Sequence, residues 1–267
     1  MLAGVESVLS RRGYDLHLRS AIRDTPTSVV DSIMAVRGRV DALLMVDVHL
    51  EEEELDEISR FGHPILTLGS RTKGIDSLTI DNREAARAVG HHLVNLGHRE
   101  IALVEGDPGL ALEHASGYER SAGFREALAE HGLEISTIVN GGFSVRGGVE
   151  AFTELWAAPE RPTAVFCLSD EMALGLLATA RRHGIDVPRE LSVVGFDDHD
   201  LAEAEGLTTV RQDIAELGVL ATRRLLSRVT DGGGPTHEVV ETGLVVRAST
   251  GRPSLIQSPT AGAGSGV

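Results

Sequence analysis

The sequence predicts an α/β protein of two lobes, each built on a parallel sheet. Two apolar runs, AVFCLS (164–169) and LSVVGF (191–196), flank one amphipathic helix, and acidic residues follow both runs. The same alternation of apolar strands and helices, with short connections, runs along the chain and is typical of parallel sheets covered on both faces. It falls into two sets of similar size, which favours two lobes with a ligand cleft between them.

The first set begins with a helix over residues 1–12, because its apolar residues recur at helical spacing and Gly13 follows as a stop signal. We then expect a strand at 14–20 and a helix at 25–36, entered through Thr25 before Pro26. The acidic run 51–54 predicts another helix start, since carboxylates suit the positive end of the helix dipole. The remaining expected elements are strands at 42–48, 64–69, 77–80 and 101–106, and a helix at 82–96 that ends at Gly97.

The second set shows the same alternation of strands and helices. Its expected elements are helices at 116–131, 145–157 and 214–229, a strand and turn around TIVNGGFS (137–144), the strand–helix–strand unit of 161–213, and one or two strands in 238–250. The carboxyl ends of neighbouring parallel strands meet at one sheet edge, where open α/β sheets bind ligands. Asp170, Asp197 and Asp198 follow such ends, so the sequence predicts a small-molecule cleft there.

Composition excludes several classes of protein. The formal net charge of −15 argues against a surface that grips DNA phosphates in this chain. Cys167 is alone, which fits a reducing cytosol and a packing role. No apolar run approaches a membrane span, and arginines interrupt the first thirty residues where a signal peptide would be apolar. We therefore expect a cytoplasmic protein.

Catalytic and metal motifs are absent. The sequence has no phosphate loop, no strand-linked G-x-G-x-x-G, no G-x-S-x-G elbow and no zinc-type cysteine spacing. Asp197 and Asp198 resemble an acid pair for phosphoryl transfer, but Lys73 is the single lysine and falls in a loop of the other lobe. Adjacent helical residues His91 and His92 point about a hundred degrees apart, which disfavours a shared metal ion. We expect no enzyme, no metal and no cofactor.

Segments along nearly the whole chain resemble one family. They occur in order and with ordinary gaps: LAGVESVLSRRGYDLHL (2–18), VDALLMVDV (40–48), IDN (80–82), HLVNLGHREIALVEG (92–106), YERSAGFREAL (118–128), PTAVFCLSDEMALGLL (162–177), IDVPRELSVVGFDD (185–198), LTTVRQD (207–213) and LVVRAST (244–250). The chain thereby resembles the effector-binding core of the LacI/GalR family of bacterial transcription regulators.

The resemblance implies two Rossmann-like lobes of the periplasmic-binding-protein type I, joined by crossover strands. The expected N-terminal lobe is 1–106 plus 212–236, the C-terminal lobe is 107–211 plus 237–252, and 253–267 is a disordered tail. The crossings are expected near 105–107, 210–213 and 236–240. It also implies a small-molecule effector, such as a sugar or nucleoside, and a homodimer.

The amino end departs from the family pattern. Members normally carry a helix-turn-helix head, a hinge helix and a first strand before the helix that here begins at Met1. An interior first strand is needed to satisfy its neighbours' backbone groups. We therefore expect that the sequence is a fragment or starts at an internal methionine, and that operator DNA is bound only through a head outside this chain.

The family's ligand-binding positions map onto three residues of the second lobe. Asp197 matches an acid that accepts hydrogen bonds from ligand hydroxyls, a task for which a carboxylate is suited. Arg120 matches an arginine that reaches into the cleft, and Phe143 an aromatic that stacks on the ligand. The structural alternatives are a helix cap at Asp197, a surface arginine and a satellite core residue.

Four further residues complete the predicted site. Ser169 takes a polar cleft position, Gln212 lies on a crossover, and Asp81 and Glu84 approach from the first lobe. Helix capping is the competing interpretation at several positions, and we expect it to describe Asn82, Asp170 and Asp198 better than ligand contact does.

The expected function is a ligand-sensing, dimerising core of a transcriptional regulator, in which lobe closure around the effector controls operator binding. One alternative is a free-standing sugar-binding protein of an uptake system, which a secretion signal upstream would favour. The other is an enzyme that uses the acidic cleft.

Overall fold

The computed structural model describes residues 1–19, 28–48, 50, 52–106 and 115–254. The predicted helix entry at Thr25 and Pro26, the start of the acidic run at Glu51 and the tail from residue 255 onward lie outside the described residues. The described part confirms the predicted α/β fold, with two sheets dominated by parallel pairing.

The first lobe contains a four-stranded sheet in which all pairs are parallel. Its strands are β1 (Leu43–Val46), β2 (Ile65–Leu68), β3 (Asp76–Ile80) and β9 (His237–Val240), in the order β1-β2-β3-β9. The helices of this lobe are α1 (Leu2–Arg12), α2 (Val29–Met34), α3 (Glu52–Ile58) and α9 (Ile214–Asp231).

Two glycines let helices α1 and α9 pack closely. A Cβ on Gly4 would lie 2.1 Å from the carbonyl oxygen of Ala215, and one on Gly218 would lie 2.5 Å from that of Met1. Backbones that approach this closely leave no room for a side chain. The two helices therefore form one layer over a face of the first sheet.

The second lobe contains a six-stranded sheet in the order β10-β8-β7-β6-β4-β5. Its strands are β4 (Ile101–Glu105), β5 (Thr137–Asn140), β6 (Ala164–Cys167), β7 (Ser192–Asp197), β8 (Thr208–Arg211) and β10 (Gly243–Val245). Among the described strands, β10 alone pairs antiparallel, with β8. Every residue of β6 is buried, as expected for a central parallel strand covered on both faces.

Within the described ranges, the second sheet is covered by the helices α4 (Asn82–Leu96), α5 (Ala115–Glu130), α6 (Val145–Ala157), α7 (Asp170–Arg182) and α8 (Asp200–Ala204). Helix α4 packs on α5 so closely that a Cβ on Gly123 would lie 2.1 Å from the carbonyl oxygen of Arg83. Among the described helices, none combines the length and apolarity that crossing a bilayer requires.

The lobe boundaries differ from two of those expected. Residues 82–106 were assigned to the first lobe, but β4 pairs with β5 and β6 in the second sheet. Residues 237–240 were assigned to the second lobe, but β9 pairs with β3 in the first sheet. The chain therefore crosses at 81 and at 241–242, because a local β-α pattern does not record which sheet a strand joins.

The strand expected at 14–20 is not formed over 14–19, the part of it that the structure describes. Leu16 and Leu18 are instead exposed. A strand is stabilised by its ladder, and no described strand lies beside this segment. Strand β1 is correspondingly an edge strand within the described sheet.

Candidate functional site

A cavity of about 180 Å³ opens at the carboxyl ends of β1, β2 and β3. Its apolar wall comes from the first lobe, including α9. Its polar groups come from both lobes and from Gln212, which lies where the chain crosses between β8 and α9. The lining residues are Met1, Val46, Asp47, Leu68, Gly69, Leu78, Thr79, Ile80, Asn82, Ser116, Arg120, Gln212, Ile214 and Leu217. Arg120 and Gln212 are therefore in its wall. The cleft was predicted at the strand ends followed by Asp170, Asp197 and Asp198, which belong to the second sheet, and none of these three acids lines the cavity.

Asp197 ends strand β7 and does not line the cavity, but it contacts two residues that do, Arg120 and Gln212. Its backbone has a φ of 116°, in a region that side chains other than glycine rarely adopt. Gln212 donates a hydrogen bond from Nε2 to Asp197 Oδ1, and Arg120 Nη1 lies 3.5 Å from the same oxygen. Burial raises the pKa of Asp197 to about 6, although the charge of Arg120 and the Gln212 hydrogen bond oppose the shift.

Arg120 is held on several sides. Its Nε donates to Asn82 Oδ1 at 2.8 Å, and its Nη1 donates to the Leu168 carbonyl oxygen at 2.7 Å. Its guanidinium carbon also lies 3.6 Å from the ring centroid of Phe196, a cation–π contact. Burial lowers the pKa of this guanidinium, while the charge of Asp197 opposes that shift. Arg120 is thus a buried, pre-oriented cleft residue and not a surface arginine.

Asn82 lines the cavity near the start of α4, whereas the predicted ligand contacts Asp81 and Glu84 do not. Asp81 is exposed and caps α4 by accepting from the Glu84 amide at 2.9 Å. The Glu84 side chain points to solvent and pairs with Arg87. Asn82, expected to be the cap, is buried and lines the cavity. The roles were exchanged because a one-residue shift at a helix start turns a side chain from solvent to cleft.

Two other predicted ligand contacts do not line the cavity. Ser169 is the N-cap of α7, where its hydroxyl accepts from the Met172 amide. The ring of Phe143 covers Gly106 at the end of β4, where a Cβ would lie 2.0 Å from Phe143 Cε2. It packs against the second-lobe core from the carboxyl edge of that sheet, so its contact with a ligand stays a prediction.

The caps expected at Asp170 and Asp198 are also wrong. Asp170 accepts hydrogen bonds from the His199 amide at 2.7 Å and the Thr209 hydroxyl at 2.6 Å. Asp198 pairs with two arginines, Arg211 and Arg247. The cap of α8 is His199. Local sequence could not show this, because the partners come from distant strands.

No group of three or more potential metal ligands comes together among the described residues. His91 contacts His131 on the surface, with Nδ1 to Nε2 at 3.2 Å. His92 and His98 bond instead to Thr250, Thr163 and the carbonyl of Gly251. These histidines join the last segment of the chain to the second lobe.

Comparison with known proteins identifies the family. Residues 91–250 match the family described as periplasmic binding protein-like domain. The HTH-type transcriptional repressor PurR of Vibrio campbellii is 33% identical over 240 residues, covering 86% of this chain and 70% of that protein. The chain belongs to the LacI/GalR family of transcriptional regulators.

Solved structures of the family superpose along nearly the whole chain. A lac repressor dimer bound to operator and the anti-inducer ONPF is 25% identical, with a TM-score of 0.82 over 94% of this chain and 88% of that one. The regulator CelR, in complex with cellobiose, is 32% identical, with a TM-score of 0.77 over 93% and 77%. These relatives confirm the prediction of a regulator's effector-binding core over an uptake protein, and the relatives named here are regulators and not enzymes.

Sequence reasoning missed part of the cavity. Asp47 and Gly69 follow β1 and β2 and line it, and Gly69 has a φ of 91° beside the Asp47 carboxylate. An acid and a glycine directly after successive strands were visible in the sequence. The Leu168 carbonyl oxygen that orients Arg120 left no such signal, because any residue carries that group.

Proposed function

We propose that this core binds a small polyhydroxylated effector, a monosaccharide in the first instance, between its lobes. The observation that carries the proposal is that Arg120 and Gln212 line the cavity while both contact Asp197, Gln212 through a hydrogen bond and Arg120 through an ion pair of 3.5 Å. A carboxylate accepts from adjacent hydroxyls, while a guanidinium and an amide donate to ring and hydroxyl oxygens.

The cavity's size and lining support a small ligand. About 180 Å³ lies below the roughly 300–1,000 Å³ of typical drug-sized sites. Leucine, isoleucine and valine side chains form much of its wall, which suits the apolar face of a sugar ring. The cellobiose complex of CelR supports a carbohydrate, since CelR is 32% identical to this chain.

Effector binding works here as a population shift between open and closed lobes. Arg120 belongs to α5 of the second lobe and bonds to Asn82, which follows the crossing at residue 81. Gln212 stands on another crossing and bonds to Asp197. A ligand that contacts these groups better in the closed arrangement shifts the balance by that difference in affinity.

The wider assembly is part of the same proposal. The acidic core pairs as a homodimer in the cytoplasm, and operator DNA is contacted by a head domain joined to it. The operator-bound dimer of the lac repressor supports this arrangement. The formal net charge of −15 supports it too, because phosphate contacts require a basic surface elsewhere.

Thermal-shift screening tests the effector proposal. We expect a member of a panel of D-ribose, D-glucose, D-galactose, cellobiose and adenosine to raise the melting temperature in a concentration-dependent way. Calorimetry then gives the affinity. If adenosine raises the melting temperature and no sugar does, the carbohydrate assignment is overturned. If no compound of the panel raises the melting temperature, the proposed site chemistry is overturned.

A further inference from the structure

A buried carboxylate lies directly beneath the turn that carries Asp197, and the binding scheme above does not use it. Asp170 is fully buried and does not line the cavity. Its Oδ2 accepts from the His199 amide at 2.7 Å, and its Oδ1 accepts from the Thr209 hydroxyl at 2.6 Å. One side chain therefore joins α7 to the segment after β7 and to β8.

The turn above Asp170 needs such support. Asp197 and Asp198 have φ values of 116° and 58°, both in the left-handed region. Residues with side chains hold these conformations only where the surroundings fix them, and such positions cluster at binding sites. Asp198 is the single residue between the end of β7 at Asp197 and the cap of α8 at His199.

The contacts around the turn divide between its two acids. The carboxylate of Asp198 pairs with Arg211 at 2.6 Å and Arg247 at 2.7 Å, and it does not line the cavity. The backbone amide of Asp198 points to the Thr209 hydroxyl at 3.4 Å, which in turn donates to Asp170. Asp170 thus reaches the turn twice, directly through His199 and indirectly through Thr209.

Strand β7 makes room for this carboxylate. A Cβ on Gly195 would lie 2.1 Å from Asp170 Oδ1, so any other residue there would displace it. Burial of an acid with no solvent access is costly unless its oxygens are bonded, and here both are. The pocket under the turn is therefore shaped for a carboxyl group.

We propose that Asp170 is a positioning residue, which holds the turn of 197–199 in the geometry that aims the Asp197 carboxylate at the effector. The inference rests on the proposed function, since it assigns affinity to a residue that does not touch the ligand. Asp170→Ala removes both acceptors. Asp170→Asn keeps one oxygen for the His199 amide and offers its amide group to the Thr209 oxygen.

The test compares these two variants with Thr179→Val. Thr179 is buried on the same helix, and among the described residues its side chain bonds to Gly175 and Arg182, which both belong to α7, so its loss reports a general effect on α7. The probe is the panel sugar that gives the largest thermal shift with the wild type. We expect Asp170→Ala to weaken binding by at least about tenfold, the equivalent of one lost hydrogen bond. Asp170→Asn should stay within about threefold, and Thr179→Val should match the wild type.

Hydrogen exchange supplies a readout that needs no ligand. The His199 amide should exchange faster in Asp170→Ala than in Thr179→Val or the wild type. If Asp170→Ala does not fold, Thr209→Val replaces it, because this change removes the link between Asp170 and Asp198 and keeps side-chain volume.

The outcomes separate the two proposals. Wild-type affinity in Asp170→Ala, or equal exchange of the His199 amide in all variants, overturns the positioning role. Equal weakening by Asp170→Ala and Thr179→Val overturns it as well. If no panel sugar binds the wild type, the carbohydrate assignment fails, and the exchange of the His199 amide alone decides whether Asp170 holds the turn.

Discussion

The two lobes hold their sheets in different ways. The second lobe has one continuous core, in which β6 and most of β7 are fully buried. The first lobe divides its buried side chains into two smaller clusters on opposite faces of its sheet, and most of β1 is only half-buried. The groups of the proposed effector site, Asp197 and Arg120, therefore stand on the lobe with the more extensively buried core, where local opening is expected to be costlier.

The buried acids of the lobes also differ in electrostatics. In the first lobe, burial would raise the pKa of Asp76, but hydrogen bonds from Arg228 and Thr236 outweigh it and hold the pKa below its usual value. In the second lobe, burial raises the pKa of Asp170 to about 7, against hydrogen bonds from Thr209 and His199. A full cation stands beside Asp76, whereas Asp170 has only neutral donors. Asp76 is therefore ionised at neutral pH, whereas Asp170 changes protonation state near pH 7.

The largest expected effect is a difference in unfolding free energy between core substitutions in the second lobe and in the first lobe. Phe166→Ala, in the fully buried β6, should lower the free energy of unfolding by about 3–5 kcal/mol, because it removes a ring that packs 4.9 Å from Phe124 and leaves a cavity. Val46→Ala, in half-buried β1, should cost about 1 kcal/mol. Urea denaturation measures both. Equal losses of unfolding free energy in the two variants would contradict the expected difference in burial between β6 and β1.

Effector binding comes next. Asp197→Ala should weaken binding by roughly 2–4 kcal/mol, because the carboxylate loses its bonds to ligand hydroxyls and Arg120 loses its counter-charge. Calorimetry with the panel sugar measures the change. Glu84→Gln is the control, since that acid is exposed, pairs with Arg87 and does not line the cavity. Unchanged affinity in Asp197→Ala would dismiss the site.

The acids should give the lobes opposite pH dependences. The folded-state pKa of Asp170 is raised, so its contribution to stability is present at low pH and is lost as the pH rises from about 4 through about 7. The folded-state pKa of Asp76 is lowered, so its contribution is present above about 4 and is lost as the pH falls further.

Asp170→Asn should therefore flatten the stability profile between pH 4 and 7, by an amount on the order of 1–4 kcal/mol. Asp76→Asn should leave that window unchanged and alter only the acid limb. Denaturant titrations at several pH values provide the measurement. Asp197, whose pKa is raised to about 6, also loses stability within this window, so the comparison of Asp170→Asn with the wild type is the test. An unchanged slope in Asp170→Asn would refute the assignment for Asp170.

The smallest effect distinguishes a cap from a ligand contact. Asp81→Ala should lower the free energy of unfolding by about 0.5–2 kcal/mol, because α4 loses the acceptor for its Glu84 amide. Effector affinity should not change, since Asp81 is exposed and outside the cavity wall. Asn82→Ala is the contrasting variant and should weaken binding, because it frees Arg120 Nε. Reversal of these two results would restore the original assignment.

Secondary structure was largely predictable because its signals are local. Helix α6 and the stop glycines at 13 and 97 match expectation, since apolar spacing and left-handed glycines report only on their own segment. The strand expected at 14–20 shows the limit. Its alternating apolar pattern is a strand pattern, but a strand also needs a neighbour, and none is described beside it.

The site was predictable in outline and wrong in detail. Arg120 and Gln212 line the cavity, and Asp197 contacts both of them without lining it. Asp81 and Asn82 exchanged roles, and Ser169 turned out to cap a helix. Each of these depends on rotation by one residue about a helix start, which the sequence pattern does not resolve.

The amino-acid sequence by itself determined the α/β class, the order of elements and the presence of acids at strand ends, because periodicity and turn chemistry act between near neighbours. Only the tertiary structure decided which sheet each strand joins, where the chain crosses between lobes, and that Asp170 supports Asp197. Those outcomes depend on hydrogen bonds and packing between residues far apart in the chain. Such contacts form only when the complete chain folds and its core is packed.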